Sequence, residues 1–304
     1  MSVSVEEPYT VQLADGVYAY VQPDGGWCLS NAGFVTGGGR TLLVDTAATE
    51  RRSRWLAEAV AATGAPAPSV IVNTHHHGDH TYGNCLFPDA TVLAHEDSRA
   101  EQLDAGHQLH LIWPQTDFGD IRISAPSLTY RDALTVHVGE SEVRVFHPGV
   151  AHTRGDSVVW LPRERVVFTG DLVFSGGTPF VPFGSLAGSL RALERLRELG
   201  ARTVVPGHGP VTDASAYDDM ERYLRFVGAL AEAGRAAGRT PLEAARRADL
   251  GKFASWRESE RLVANLHRAY AELAGEPAGS RLDLVALLTD MTAMNGGQPV
   301  ACHA

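Results

Sequence analysis

The sequence predicts an α/β core followed by a helical appendix. Short β-rich runs bounded by turn residues recur up to Val205, helical patterns fall between them, and beyond Asp213 the strand pattern stops. The expected division is a core over 1–212 and an appendix over 213–304. In chain order, Tyr9–Leu13 and Val17–Gln22 flank the turn Asp15-Gly16, and Asn31–Thr36 and Arg40–Asp45 flank Gly37-Gly38-Gly39, two hairpin signals. The triple glycine lacks the Lys-Ser/Thr pair and the following helix of a phosphate loop. Thr49–Thr63 reads as a helix stopped by Gly64, and Ser69–Asn73 as a buried strand. Thr91–Ala94 is a further strand and Glu96–Asp104 a helix, whereas Gly106–Pro126 is irregular and rich in aromatic residues and histidine. Leu134–Val138 with Glu142–Phe146, and Ser157–Leu161 with Val166–Thr169, read as hairpins. Ser189–Leu199 is a helix with a leucine face, and Thr203–Val205 the last strand. In the appendix, Tyr217–Ala237, Ser259–Leu273 and Arg281–Met291 read as helices, and Thr240-Pro241-Leu242-Glu243 as a capped helix start.

Composition sets the outer limits. The 304 residues include 36 acidic and 26 basic side chains, a net charge of −10, with 44% apolar and 20% charged residues. That balance is ordinary for a globular protein and excludes a disordered, collagen-like or disulfide-scaffold chain. A net acidic chain without Lys/Arg runs also excludes a nucleic-acid binder, which needs a concentrated positive face. No run approaches the ~18 apolar residues of a membrane span. Met1–Pro8 has neither a basic start nor an apolar core, so no secretory leader is read there. The three cysteines, Cys28, Cys85 and Cys302, are odd in number and far apart. A cytoplasmic location with buried or free thiols is expected.

Histidine carries the chemistry. Directly after the strand Ser69–Asn73 comes Thr74-His75-His76-His77-Gly78-Asp79-His80. His75 and His77 are two apart, so their imidazoles can converge on one point. Asp79 and His80 lie one turn on and can face a second point, at the ~3.5 Å spacing of two-metal hydrolytic sites. Three further pieces end strands: Gly149-Val150-Ala151-His152-Thr153, Thr169-Gly170-Asp171 and Pro206-Gly207-His208-Gly209. Loops at strand ends present ligands rigidly.

In this order, the four motifs resemble the metallo-β-lactamase superfamily over roughly residues 10–212. The resemblance implies an αββα sandwich with a dinuclear site. It places His75, His77 and His152 on the first metal and Asp79, His80 and His208 on the second, with Asp171 bridging. Asp79 and Asp171 are the residues it assigns to catalysis. Imidazole and carboxylate donors suit two divalent ions, zinc first, with iron or manganese as alternatives. Such ions lower the pKa of water to about 7 and polarise a substrate carbonyl. A bridging aspartate also points away from lactam opening and toward thioester, lactone or phosphodiester chemistry.

A narrower resemblance rests on Gly25-Gly26-Trp27-Cys28-Leu29-Ser30-Asn31-Ala32-Gly33, on Asp171 through Phe180, on Phe183-Gly184-Ser185-Leu186-Ala187-Gly188, on Arg246 through Gly251, on Glu260 through Ala269 and on Asn295-Gly296-Gly297-Gln298. These look like the actinorhodin-type second-ring polyketide cyclase/thioesterases, over nearly the whole chain. The implied activity is aldol closure of a second ring followed by hydrolysis of a carrier-protein thioester. The implied partner is a polyketide thioester bound to an acyl carrier protein or a coenzyme A-like thiol. The expected substrate pocket takes a flat, apolar, oxygen-bearing group, with Trp113, Phe118, Phe174, Phe180 and Phe183 as its walls. Arg235, Arg239, Arg246 and Arg247 are the candidate docking patch for an acidic carrier. Two alternatives stand beside this reading: a generic thioester or lactone hydrolase similar to glyoxalase II, and a non-catalytic metal-bound module that binds a carrier protein. A true β-lactamase is disfavoured by Asp171. Of the other histidines, His76 is expected to turn away from the site, His95 to cap or pack, and His107 and His110 to lie in a pocket wall or surface loop. His147 is a candidate support for His152, and Cys28 and Cys85 are expected to be buried and inert.

Overall fold

The computed structural model describes residues 7–304. Met1–Glu6, part of the stretch read above for a leader, lie outside the described residues. Strands β1 (Tyr9–Ala14), β2 (Val17–Val21), β3 (Ala32–Gly37) and β4 (Arg40–Val44) form an antiparallel meander. The β3–β4 turn is made by Gly38 and Gly39, both at positive φ, so the hairpin reading holds. Helix α1 (Glu50–Ala62) then crosses to β5 (Val70–Val72), which runs parallel to β4. Thr49 caps α1 by accepting from the Arg52 N–H, and Leu56 and Val60 lie buried on its inner face. Each such side chain contributes about 2 kcal/mol of burial. Strands β6 (Thr91–His95) and β7 (Leu128–Tyr130) complete a seven-stranded sheet in sequence order.

The second sheet contains β8 (Ala133–Val138), β9 (Ser141–Phe146), β10 (Val158–Leu161), β11 (Val166–Phe174) and β12 (Thr203–His208), in the order β12-β11-β10-β9-β8. β11 and β12 are parallel because α5 (Leu186–Glu198) carries the chain back between them. The two sheets face each other. Val17, Val35, Leu42 and Val72 from the first pack with Val143, Val145, Val159, Phe168 and Val205 from the second. Outside the first sheet, Phe34, Leu43 and Ile71 meet Leu56 and Val60 of α1. Outside the second, Val167 and Val204 share a core with Leu193 and Leu196 of α5. The layers are therefore helix, sheet, sheet, helix, the expected αββα arrangement.

After β12 the described residues form α6 (Ser215–Ala236), α7 (Pro241–Arg246), α8 (Arg261–Leu273) and α9 (Leu284–Met294). Thr240 and Glu243 make the reciprocal capping box read from the sequence. These helices join the core of the second sheet: Tyr217, Met220 and Tyr223 of α6, Leu262 and Leu266 of α8, and Leu287 and Met291 of α9 share one cluster with Leu172 and Phe174 of β11. Arg268, fully buried on α8, donates to the Pro182 carbonyl and the Ser280 hydroxyl and carbonyl. No helix among the described residues is long and apolar enough to cross a membrane.

Several elements differ from the sequence reading, and for four of them the cause is plain. β7 escaped it because two of its three residues are exposed and give no apolar alternation. α5 begins at Leu186 because Ser185 caps it, accepting from the Gly188 N–H. α9 begins at Leu284 because the Asp283 side chain accepts from the Ala286 N–H. β11 runs on through Asp171 to Phe174, held by pairing with β12, so Asp171 sits within a strand rather than after one.

Candidate metal centre

Segments distant in sequence deliver seven side chains to one place. After β5 the chain turns through His75 and His77 into the single-turn helix α2 (Gly78–Thr81), which carries Asp79 and His80. The loop after β9 supplies His152, β11 supplies Asp171 and the end of β12 supplies His208. His77 Nδ1 lies 3.0 Å from both His75 Nε2 and His152 Nε2. Asp171 Oδ2 is 3.5 Å from His152 Nε2 and 3.5 Å from His208 Nε2, and its Oδ1 is 3.1 Å from His80 Nε2. Asp79 Oδ2 is 3.3 Å from His208 Nε2 and 3.8 Å from His80 Nε2. Two groups result, His75–His77–His152–Asp171 and Asp79–His80–His208, each with its donor atoms within 4.8 Å of one another. Asp171 reaches both.

These groups fit metal ions. One nitrogen of His77 faces two other ring nitrogens at 3.0 Å, and a single N–H can satisfy only one of those contacts. His80 Nε2 and Asp171 Oδ1 are buried, yet neither makes a hydrogen bond. Buried lone pairs aimed at a common point are what a cation satisfies. Burial and neighbouring imidazoles hold His75 and His77 well below the ordinary histidine range, in the neutral form that ligates. Burial works against charge on His80 and His208 too, but the carboxylates of Asp171 and Asp79 outweigh it, raising His208 to about 9 and His80 well above its usual value. Burial would raise Asp171, but His208, His80 and His152 pull it well below the carboxylate range.

The backbone behind the donors is shaped for them. Gly207 packs so close to Asp171 that a Cβ there would overlap its carboxylate. His208 Nδ1 is fixed by the Gly25 carbonyl at 3.1 Å. His80 Nδ1 bonds Asp45 Oδ2 at 2.9 Å, and Asp45 in turn accepts from the Thr74 N–H and hydroxyl at 2.7 and 2.6 Å. Asp156 accepts from the His152 N–H at 2.8 Å and from the Thr153 hydroxyl at 2.6 Å, fixing the loop. Asp45 and Asp156 were not singled out in the sequence. The available signal for Asp45 was its place at a strand end, as for the ligands. Asp45→Asn should lower the affinity for a divalent ion by about 10- to 100-fold, the usual cost of losing a group that orients a ligand. Asparagine tolerates the positive φ of position 45, so the change isolates the charge from the backbone. Zinc titration against a competing chelator and circular dichroism on the same preparation check it; unchanged affinity would rule out the orienting role.

Four of the donors open onto a cavity with mainly apolar walls. His77, Asp79, Asp171 and His208 form its floor, and Trp27, Trp113, Phe174, Phe180 and Phe183 line its sides. Leu284, Leu287, Leu288 and Met291 of α9, with Val300, close it. Trp113 Nε1 donates to the Val300 carbonyl at 2.8 Å, and the His303 N–H to the Trp27 carbonyl at 3.1 Å, tying the C-terminal segment over the cavity. Of the five aromatic residues read as walls, Phe118 is the exception. It is buried outside the cavity, against Tyr82 and His110, where it fills space beneath the single-turn helix α4 (Gln108–Ile112). His107 and His110 pack around Tyr82 and do not line the cavity. His76 turns away to Glu101 at 3.2 Å, and His95 caps α3 (Glu96–Ala105) through the Asp97 N–H. His147 stacks on His95 and bonds the Asp156 carbonyl, one step removed from His152. Cys28 is buried as expected but lines the cavity. Arg235, Arg239, Arg246 and Arg247 are exposed, with Arg235 and Arg246 donating to the carbonyls of Tyr270 and Ala293.

Comparison with known proteins agrees with this architecture. Residues 25–208 match the family model of the metallo-beta-lactamase superfamily. The chain belongs to that superfamily. Among solved structures, the DIM-1 metallo-beta-lactamase matches with a TM-score of 0.57 and 22% identity, over 73% of this chain and 99% of that one. At that identity the likeness concerns the fold. Among curated relatives, a hydroxyacylglutathione hydrolase of Rhodospirillum rubrum is 32% identical over 57% of this chain and 62% of its own length. The acyl-coenzyme A thioesterase MBLAC2 of Homo sapiens is 27% identical over 46% of this chain and 56% of its own. The chain thus spans roughly half to three fifths of the length of these relatives.

Proposed function

We propose that this chain is a metal-dependent thioester hydrolase of the glyoxalase II-like type, with a pocket for a bulky apolar acyl group. The observation that carries it is the juxtaposition of the seven-donor cluster with a cavity walled by aromatic and aliphatic side chains. The names of the hydroxyacylglutathione hydrolase and the acyl-coenzyme A thioesterase support the reaction class. His75, His77 and His152 would hold one divalent ion, Asp79, His80 and His208 another, with Asp171 shared. When bound, such ions acidify water and stabilise negative charge developing on a carbonyl oxygen. The chain's own residues do the rest. Trp27, Trp113 and the phenylalanines exclude water from the acyl group and fix its plane. Asp79, on the cavity floor, accepts the proton of the attacking water and returns it to the departing thiolate. A second groove shares Gln108, Phe183 and Leu284 with the cavity and adds Arg154 and Arg281. It offers a path for the thiol arm, whether glutathione, coenzyme A or a carrier-protein phosphopantetheine.

The aromatic walls favour one narrower reading, the cyclase/thioesterase of aromatic polyketide assembly. Flat side chains on several sides suit a bicyclic aryl acid better than a lactoyl group. One experiment separates the readings. The zinc-loaded protein is assayed with naphthoyl and lactoyl thioesters of N-acetylcysteamine, of glutathione and of coenzyme A, before and after chelation. Hydrolysis that prefers the aryl substrate and disappears on metal removal is expected. Turnover that survives metal removal would refute the hydrolase mechanism, and no turnover in the two-metal protein would leave the non-catalytic module. Incubation with a linear poly-β-keto thioester tests the cyclase step: no new aromatic absorbance would reject it.

A further inference from the structure

The cavity contains one cation that the reaction just described does not use. Arg261 begins α8, beyond the residues that match the superfamily model, and among the described residues is the only arginine or lysine lining the cavity. Its guanidinium lies 3.9 Å over the Trp27 ring and 5.5 Å from the Phe174 ring. Phe174 stacks in turn on the His208 imidazole, with centroids 5.1 Å apart and planes 2° from parallel. Arg261 thus stands one ring away from the metal donors. It pairs with Glu258 and donates from Nη1 to the Thr178 carbonyl at 3.0 Å, which holds it in place. Its Nε is buried and has no acceptor.

Arg268, two helical turns along α8, shows what a purely structural arginine looks like in this protein. Its Nε, Nη1 and Nη2 all donate, and it does not line the cavity. An N–H left without an acceptor in an apolar wall is costly, and the cost is relieved when an occupant supplies the acceptor. Few other polar groups face that space: beyond the metal donors there are Gln108 at the rim and the weakly polar thiol of Cys28. A cation on an apolar wall bonds strongly to a carbonyl, enolate or phenolic oxygen, because little water competes.

We propose that Arg261 selects acyl thioesters whose acyl group carries a second oxygen, and holds that oxygen within the apolar cavity. The proposal rests on the thioesterase reading and names its substrate class: 3-oxoacyl or hydroxyaryl thioesters over plain acyl ones. Arg261 is a binding residue for the part of the substrate away from the scissile bond. No covalent step passes through it.

The test compares kcat/KM for the N-acetylcysteamine thioesters of 3-oxooctanoic and octanoic acid in the zinc-loaded wild type, Arg261→Met and Arg261→Lys. The wild type should prefer the oxo substrate. Arg261→Met should lose about tenfold on that substrate, the effect of one hydrogen bond to a charged group, and change less than about twofold on octanoyl. Arg261→Lys should fall between. Equal losses on both thioesters would mean a structural role and overturn the proposal, as would a wild type without preference. Equilibrium binding of 3-hydroxy-2-naphthoate and 2-naphthoate, followed by tryptophan fluorescence, gives a readout independent of turnover. If the wild type hydrolyses neither thioester, the thioesterase reading fails. The naphthoate preference, and its loss in the variants, then still decides the role of Arg261. If Arg261→Met does not fold, Arg261→Lys decides, and a preference unchanged in that variant overturns the proposal.

Discussion

Asp171→Asn is expected to lower thioester hydrolysis by well over about 100-fold, since changing a group behind a ligand already costs up to that much. The substitution keeps size and shape, so the close contact with Gly207 survives. It converts one carboxylate oxygen into an amide NH2, a donor with no lone pair for a metal, among imidazole nitrogens 3.1 to 3.5 Å away. It also removes the one charge shared by both donor groups. Metal content by elemental analysis should fall from two ions per chain to one or none, while circular dichroism remains that of the folded protein. Full metal content together with wild-type turnover would remove Asp171 from the centre.

Chelation is the second large effect. A ligand that binds the folded chain alone, at about a thousand times its Kd, adds roughly 4 kcal/mol. For a chain of this size that corresponds to a rise in Tm of about 6 °C per ion. The zinc-loaded protein should therefore melt well above the chelated one in calorimetry, and Asp171→Asn should show a much smaller gap. Identical melting with and without zinc would mean that the clusters hold no ion. Cooperative folding gives this effect its reach. The donors come from four separate parts of the chain, so ions holding them also hold the sandwich.

That these seven side chains meet was legible in the sequence because each piece of the set is local. His75 to His80 fall within one short run after a strand, and His152, Asp171 and His208 each carry a glycine or proline context, although at Asp171 the strand runs on to Phe174. The sandwich was legible for a similar reason: alternation and turn residues act within a few positions. The cavity was only half legible. Trp113, Phe174, Phe180 and Phe183 line it, but Phe118 was misplaced, because apolar residues in an irregular stretch pack wherever space remains. Trp27, Arg261 and the α9 leucines were missed as cavity walls. They are brought there by contacts such as Trp113 to Val300, 187 residues apart, which no local pattern announces. Asp45 was missed because a strand-end aspartate looks the same in sequence whether it binds a metal or steadies a histidine.

The division of labour between sandwich and appendix has an evolutionary consequence. The seven donors lie between His75 and His208, while Arg261, α9 and Val300 supply one whole side of the acyl cavity. Substitutions in α9 or at Val300 therefore change the shape of the cavity while all seven donor residues stay as they are. A lineage thus varies what the cavity accommodates by point changes in its final third rather than by wholesale exchange, because those helices share the core of the second sheet.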